Sequence, residues 1–390
     1  MIIAAELQMQ GNKHVGVNSS VLNILSNTFD SDIYMVSDKF HKECLMDLYD
    51  FEKLSWGTFE YTGDKELKKK YIPFKLIREV VLALRLFFKA KKNKAEFIFF
   101  FSSYPFTQVF LNCFAALFNQ KIILCQHGDL GVLSIQKPSV LTKIFGDIQK
   151  FFYKYRSKNS IILFYGESIK KVFFEKFPLY NNDNIISIDH PYNYDLENHK
   201  RNKLINKKIV FSALGTGLIN KNSHKIFSLA HYFKNEILNN KILFRHVGNM
   251  SKDVQSYNNN LVDLYNEGFV DRTVFENEIL KADFFLYFFE QNSLYDLCPS
   301  GTFFDAIKYE RPIIALENPF FRYYFEKLGD IGWLFNNLEE MEKFIKDNLL
   351  ENEDLNKFIL PIKEQLALSK HKLSIEEIER DFVNQISRLC

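Results

Sequence analysis

Short runs of β-branched and aromatic residues alternate with amphipathic stretches along almost the whole chain, and no other feature restricts the fold as much. In the first half the runs are Ile2–Ala5, Ile33–Val36, Phe97–Phe101, Ile122–Cys125, Ile161–Phe164 and Ile185–Ile188. Between them the apolar spacing predicts helices over Val17–Thr28, Phe74–Lys92, Phe106–Phe118, Val140–Tyr155 and Ser168–Phe177. Runs that are apolar on both faces and separated by helices specify a parallel sheet covered on both sides. The pattern stops at His190–Lys208, which is polar and turn-rich and reads as a linker. It resumes with strands at Ile209–Ala213, Ile242–Val247, Phe284–Phe288, Ile313–Leu316 and Gly332–Phe335. The helices of this half include Ser223–Lys234, Thr273–Lys281, Thr302–Tyr309 and Leu338–Leu349. A last helix spans Ser374–Leu389, with Ser374 and Glu377 placed as a capping box. The expected fold class is therefore α/β, with two Rossmann-like doubly wound domains facing a cleft: residues 1–190 and 209–370, joined by 191–208. Such sheets bind ligands at the carboxyl ends of their strands.

Composition narrows the function classes. A chain of 390 residues suits two domains, and 47% hydrophobic with 25% charged residues excludes wholesale disorder. Fifty basic against 48 acidic side chains excludes a general nucleic-acid binder. The balance is uneven, with 25 basic and 20 acidic residues in 1–195. The five cysteines (Cys44, Cys113, Cys125, Cys298 and Cys390) form no CxxC pair, so neither a zinc site nor a disulfide framework is expected. The start, MIIAAELQMQ, lacks the basic n-region of a signal peptide, and Phe97–Phe118 is too interrupted by polar residues to span a membrane. A cytoplasmic location is expected.

Two stretches of the second half suit an anionic phosphate. In FSALGTGLINK, Gly215 and Gly217 follow a strand and Lys221 precedes a helix start. In CPSGTFFDA, Ser300, Gly301 and Thr302 open another helix, and Asp305 lies one turn in, where a carboxylate can accept from a ribose diol. An ordinary turn with a solvated lysine, and a plain N-cap with a first-turn acid, are the alternatives these residues leave open.

Glu267–Phe288 followed by Ser300–Leu316 resembles the donor half of GT-B-fold glycosyltransferases, and Phe211–Ala230 is similar to the stretch before it. The resemblance covers about Ile209–Phe335 and reaches the first half only by architecture. It implies that Gly215, Gly217 and Lys221 hold a donor diphosphate with Ser300, Gly301 and Thr302. Asp305 would take the ribose, and the Phe269–Val270 backbone would lie beside the base. Two departures stand out. Leu297 occupies the place of the first Glu in the family's Glu-x7-Glu pair, and the usual arginine of the lysine loop is missing, with Arg245 on the next strand as its substitute. The family also implies a nucleotide-sugar co-substrate with no cofactor or metal, acceptor binding on residues 1–190, and a terminal helix, 371–390, that packs back on the first domain.

Glycosyl transfer needs a base for the acceptor hydroxyl, and QHGDLG after the Ile122–Cys125 strand offers His127 first and Asp129 second. In a retaining enzyme the same histidine would instead bind the donor sugar. The first loop carries Gly11, His14 and Gly16, which the family uses to close on the donor phosphates. Residues 64–94 hold eleven basic and three acidic side chains. Ile77, Val80, Val81, Leu84 and Phe87 share one helical face there, opposite Arg78, Arg85, Lys89 and Lys92. Either this is a domain helix with a solvated face, or residues 68–94 form a basic amphipathic element for the inner leaflet of a membrane. The expected partners are a nucleotide-sugar donor and a glycan or lipid-linked acceptor, in surface polysaccharide or glycan synthesis of a bacterium. A nucleotide-sugar epimerase of the same fold and a non-catalytic nucleotide-sugar-binding module remain as other readings.

Overall fold

The computed structural model describes residues 1–47, 54–59, 72–126, 128–133, 135, 139–194, 208–265, 272–291 and 294–389. The chain divides into two units. The first comprises Met1–Asn193, Leu297–Pro299 and Leu373–Cys390, and the second comprises Tyr194–Asp296 and Ser300–Lys372.

In the first unit the order is β1 (Ile2–Glu6), α1 (Val15–Thr28), β2 (Ile33–Asp38), α2 (Lys39–Met46), β3 (Leu54–Phe59), α3 (Ile72–Asn93), β4 (Ile98–Ser102), α4 (Pro105–Leu117), β5 (Ile122–Gln126), α5 (Val140–Lys154), β6 (Ser160–Tyr165), α6 (Glu167–Lys176) and β7 (Ile185–Ile188). The sheet runs β3-β2-β1-β4-β5-β6-β7, and every pairing is parallel. Its order reverses between β1 and β4, where a doubly wound sheet opens its crevice. Ile3, Phe100, Leu124 and Phe164 pack on one side of the sheet, and Ile2, Phe99, Ile123 and Leu163 on the other.

The second unit continues with β8 (Ile209–Leu214), α7 (Lys225–Tyr232), α8 (Lys234–Leu238), β9 (Ile242–Val247), α9 (Lys252–Gln255), β10 (Val262–Tyr265), α10 (Arg272–Ile279), β11 (Phe284–Tyr287), α11 (Gly301–Lys308), β12 (Ile313–Leu316), α12 (Pro319–Leu328), β13 (Gly332–Phe335), α13 (Leu338–Phe344) and α14 (Leu355–Lys372). Its all-parallel sheet runs β10-β9-β8-β11-β12-β13. The last helix, α15 (Ile375–Ile386), buries Ile378, Phe382 and Ile386 in the first unit's core, and Ser374 Oγ accepts from Glu377 N at 3.4 Å. Both sheets are parallel and covered by helices, which is the α/β class that the alternation specifies.

Three details differ from the sequence reading. Lys39–Met46, Pro319–Leu328 and Leu355–Lys372 are helices in addition to those expected, and Leu54–Phe59 and Val262–Tyr265 are additional edge strands. The polar run after β7 is not exposed from its start, because His190 and Pro191 are buried. Within the basic helix α3 the inward face consists of Glu79, Ala83, Leu86, Phe87 and Ala90, so Ile77 and Val81 face solvent at 61% and 43% exposure. Glu79 lies buried on that inward face. Its carboxylate accepts from Tyr104 N (3.2 Å) and Thr107 Oγ1 (2.8 Å), capping the start of α4, where free N–H groups favour an anion. Residues 60–71 of the basic stretch lie outside the described residues. Among the described residues no helix is long and apolar enough to cross a membrane.

Candidate functional site

Two sets of strand ends collect polar side chains, one in each unit. In the second unit, Gly215 follows β8 with φ +86°, and its N–H donates to Val247 O at 2.8 Å. Gly217 N donates to Asn249 O (2.8 Å) and Ser251 N to Gly217 O (2.9 Å), so the two chains stay paired beyond β8 and β9. Close approach demands glycine here: a Cβ on Gly248 would stand 2.3 Å from Gly215 O, at φ +131°. A Cβ on Gly215 would lie 3.3 Å from Thr302 Cγ2, which places the glycine loop against the start of α11.

At that start Ser300 is the N-cap residue without a side-chain cap bond, and its hydroxyl lies 3.3 Å from Thr302 Oγ1. Thr302 O accepts from the Tyr287 hydroxyl at 2.7 Å. No atom lies within 4 Å of the Cβ position of Gly301, so the helix start is open. Free N–H groups of an open helix N-terminus suit an anion. Lys221 closes a 3-10 turn, Ile219–Lys221, and its ammonium sits 5.3 Å from the Tyr295 ring centroid. Asn222, Ser223 and His224 separate it from α7, whose first residue, Lys225, is paired with Glu290. Lys221 therefore lies on the turn after the glycine loop and not at the start of α7.

Asp305 is buried at 3% exposure, and its charge raises the Tyr287 phenol, already pushed well above its usual value by burial. Arg245, the expected substitute for the missing loop arginine, is paired with two carboxylates of its own unit. Its guanidinium bonds Asp263 and Glu278, each at 2.7 Å, because alternation along β9 turns it toward those carboxylates. The same alternation buries His246 under Gly217, where a Cβ would come 3.2 Å from the imidazole. Neither ring nitrogen of His246 makes a well-formed hydrogen bond. Burial, chiefly, lowers its pKa to about 4; the Asn249 and Gly215 backbones oppose the shift and Lys221 adds to it. Period-2 reading of Ile242–Val247 could have separated the two residues.

In the first unit, β1 and β4 slip register between Ala5 and Glu6, which sets Glu6 opposite Ser102. Bulges of this kind re-aim side chains at strand ends. Glu6 is fully buried and accepts from Gln8 N (2.9 Å), Met9 N (2.9 Å), Asn18 Nδ2 (3.1 Å) and Ser102 Oγ. His41, also fully buried, lies 3.0 Å from Asn18 Nδ2 and 2.7 Å from Gly11 O. His14 begins α1 at φ +60°; burial lowers its pKa, and the Glu6 charge works against that shift. His190 is lowered to about 4 by burial and then by His14, and its ring centroid is 5.8 Å from that of Tyr165. Tyr165 donates to Cys125 Sγ at 3.1 Å, and burial pushes that thiol upward. Gly16 lies in the first turn of α1 with open space at its Cβ, and its carbonyl accepts from Ser19 and Ser20, each at 2.9 Å.

His127, Phe269 and Val270 lie outside the described residues, as does the Asp129 side chain; the Asp129 backbone opens a 3-10 turn, Asp129–Leu133. Glu6, Asn18, His41 and His190 were missed by sequence reasoning, since only tertiary pairing brings them together. Among the described residues no group of three or more His, Cys, Asp or Glu is placed to hold a metal.

No family model and no curated protein matches the sequence. Solved structures do. HepE of Anabaena, in complex with UDP-glucose, aligns at TM-score 0.65 and 12% identity over 100% of both chains. A glycosyltransferase from Rickettsia africae aligns at 0.61 and 13%, over 100% of this chain and 98% of that one. The E. coli trehalose-6-phosphate protein bound with UDP-2-fluoro glucose aligns at 0.64 and 10%, over 100% and 99%. At such identities the likeness is one of fold: two Rossmann-like domains of the GT-B type.

Proposed function

We propose, from that fold, that the chain is a glycosyltransferase moving a sugar from a uridine-diphosphate donor to a hydroxyl of a glycan or lipid-linked acceptor, without a metal or cofactor. The observation that carries the reading is the meeting of the Gly215–Gly217 loop with the open start of α11, with Lys221 on the turn beyond. UDP-glucose is bound in the like-folded HepE and UDP-2-fluoro glucose in the like-folded E. coli protein, which supports the same donor class here. The acceptor oxygen attacks the anomeric carbon, whose bond to the diphosphate breaks. Lys221 and the α11 N–H groups offset the charge of the departing diphosphate, the task a metal performs elsewhere. In an inverting reaction the acceptor proton passes to His127, with Asp129 as the next candidate base. Asp305 binds the ribose and the Phe269–Val270 backbone flanks the base, as in the family resemblance.

Titration calorimetry with UDP, followed by donor-turnover assays across nucleotide sugars, tests the reading. Binding with turnover is expected, and binding without turnover would make the chain a nucleotide-sugar-binding module. Lys221→Ala should lower kcat/KM for the donor by roughly 10²–10³-fold, the range for one charge-stabilising donor.

The acceptor side is proposed to rest on the inner leaflet of a bacterial membrane. Phe74, Ile77, Val81 and Phe88 of α3 are exposed beside Lys75, Arg78, Arg85 and Lys92, which suits an anionic lipid surface. Anionic vesicles should therefore sediment the protein and neutral ones should not. The Phe74→Ser/Ile77→Ser/Phe88→Ser variant should remain in the supernatant with both.

A further inference from the structure

The loop after β1 is tied down by a relay whose hydrogen count leaves one solution. The Glu6 carboxylate has only acceptors to offer, so Asn18 must turn its amide nitrogen toward Oε2, 3.1 Å away. That nitrogen also lies 3.0 Å from His41 Nε2, and it carries two hydrogens, one for each neighbour. Nε2 is therefore bare. Nδ1 stands 2.7 Å from the Gly11 carbonyl, an acceptor, and so carries the ring proton. Gly11, at φ +57°, packs so closely on α2 that a Cβ would come 2.8 Å from the Phe40 ring.

We propose that Glu6 and His41 are positioning residues for sugar transfer: acting through Asn18, Glu6 fixes His41 as the neutral Nδ1–H tautomer, which pins Gly11 and with it the Leu7–His14 loop at the β1–β4 junction. The geometry stands by itself; the catalytic consequence rests on the transferase reading. Charged groups face His41 from each element around it. β1 supplies Glu6 across Asn18, and the loop supplies His14, which in turn feels the Lys13 charge. At the end of β2, Asp38 accepts from His41 N at 3.3 Å. On α2 itself are Lys42, whose ammonium lies 5.6 Å from the Trp56 ring centroid, and the exposed Lys39 and Glu43.

The relay ties the His41 proton to Glu6. In the wild type, a proton on Nε2 would face the Asn18 N–H. In Glu6→Gln, with its carbonyl kept toward Gln8 N and Met9 N, the new NH2 faces Asn18 and forces that amide to flip. The Asn18 oxygen then needs a donor on Nε2 while Gly11 O still needs one on Nδ1, a demand only the imidazolium meets.

The test uses the full chain with nitrogen-15-labelled histidine, the His41 signals being assigned by their loss in His41→Gln. Wild type at neutral pH should show a protonated Nδ1 and a bare Nε2; the opposite tautomer or an imidazolium overturns the proposal. At neutral pH, Glu6→Gln should lower donor kcat/KM with a UDP-sugar by about tenfold, and its His41 signals should show a proton on Nε2. Unchanged kcat/KM, or an unchanged tautomer beside a lowered kcat/KM, overturns the positioning role. Should Glu6→Gln not fold, the loop is tested on His41 itself. An asparagine amide replaces Nδ1 and a glutamine amide replaces Nε2, so His41→Asn should keep about tenfold more kcat/KM than His41→Gln; equal losses overturn the role. A chain with the expected tautomer that transfers no sugar overturns the transferase reading and this role with it. The wrong tautomer in an active enzyme overturns the relay alone.

Discussion

The two strand-end loops are built on the same topology and held by different forces. In the first unit the loop after β1 is fastened by side chains: a buried carboxylate, an amide and an imidazole whose donors and acceptors must match. In the second unit the loop after β8 is fastened by backbone, with Gly215, Gly217 and Gly248 letting two chains pair where a Cβ would collide. A side-chain tether is chemically selective and responds to protonation, while a backbone tether is steric and indifferent to pH. The contrast teaches that a doubly wound sheet fixes where its ligand loops emerge but not how they are made rigid.

The largest effect should come from breaking the backbone tether. Gly248→Ala puts a Cβ 2.3 Å from Gly215 O at a backbone angle that L residues avoid. A loss of about 2–5 kcal/mol in denaturant unfolding of the second unit is expected, from overpacking plus strain. Loss of less than 1 kcal/mol, roughly the cost of a surface change, would show that the loops can part.

Acid sharpens the comparison next, because in each unit burial holds the pKa of a histidine well below its usual value. His246 and His190 are both held near a pKa of about 4, against 6.5 when unfolded. Folding favours the neutral form, so this stability is complete above the unfolded value and drains away as pH falls from 6.5 toward 4. Fully developed, the difference amounts to about 3 kcal/mol for each ring. His246→Gln should flatten the acid limb of the second unit's unfolding curve and leave that of the first intact. An unchanged acid limb would mean that His246 does not titrate on unfolding.

Asp305 separates a ligand role from a packing role at somewhat smaller cost. Asp305→Asn keeps its volume and removes its charge. If the carboxylate accepts the ribose diol, UDP affinity should fall by roughly 1.5–3 kcal/mol, the value of a charged hydrogen bond, with little change in thermal stability. A lowered melting temperature with unchanged UDP affinity would assign the group to the core beside Tyr287.

The smallest structural effect belongs to Gly301→Ala. Nothing occupies the Cβ position, and alanine suits a helix better than glycine by roughly 0.5–1 kcal/mol, so stability should hold or rise slightly. Donor KM should nevertheless increase, since the new methyl stands where the diphosphate approaches the helix start. Unchanged KM would move the phosphate elsewhere.

Much of the fold could be read from residues alone. Runs such as Ile98–Ser102 and Ile313–Leu316 are buried on both faces, so their apolar character is continuous and unmistakable. The edge strands escaped because one neighbour is missing: Leu54–Phe59 is only partly buried, and its sequence LSWGTF carries no continuous apolar run. The helix Leu355–Lys372 escaped because Pro361 sits inside it, a residue that normally ends one. For the site, glycine spacing drew attention to Gly215 and Gly217, but that His246 and not Arg245 lies under Gly217 depends on which face of β9 meets the loop.

Sequence by itself determined the parallel two-sheet architecture and drew attention to Gly215 and Gly217, because periodicity and glycine spacing are local properties. The close approach at Gly248, by contrast, arises only once β8 and β9 pair. Only tertiary structure decided the partners. Glu6, Asn18 and His41 belong to a strand and two helices, separated by 12 and 23 residues, and they meet because β1 pairs with β2 and α1 and α2 pack beside that pair. A buried carboxylate is tolerable only where enough donors converge on it, and convergence is a property of the folded chain.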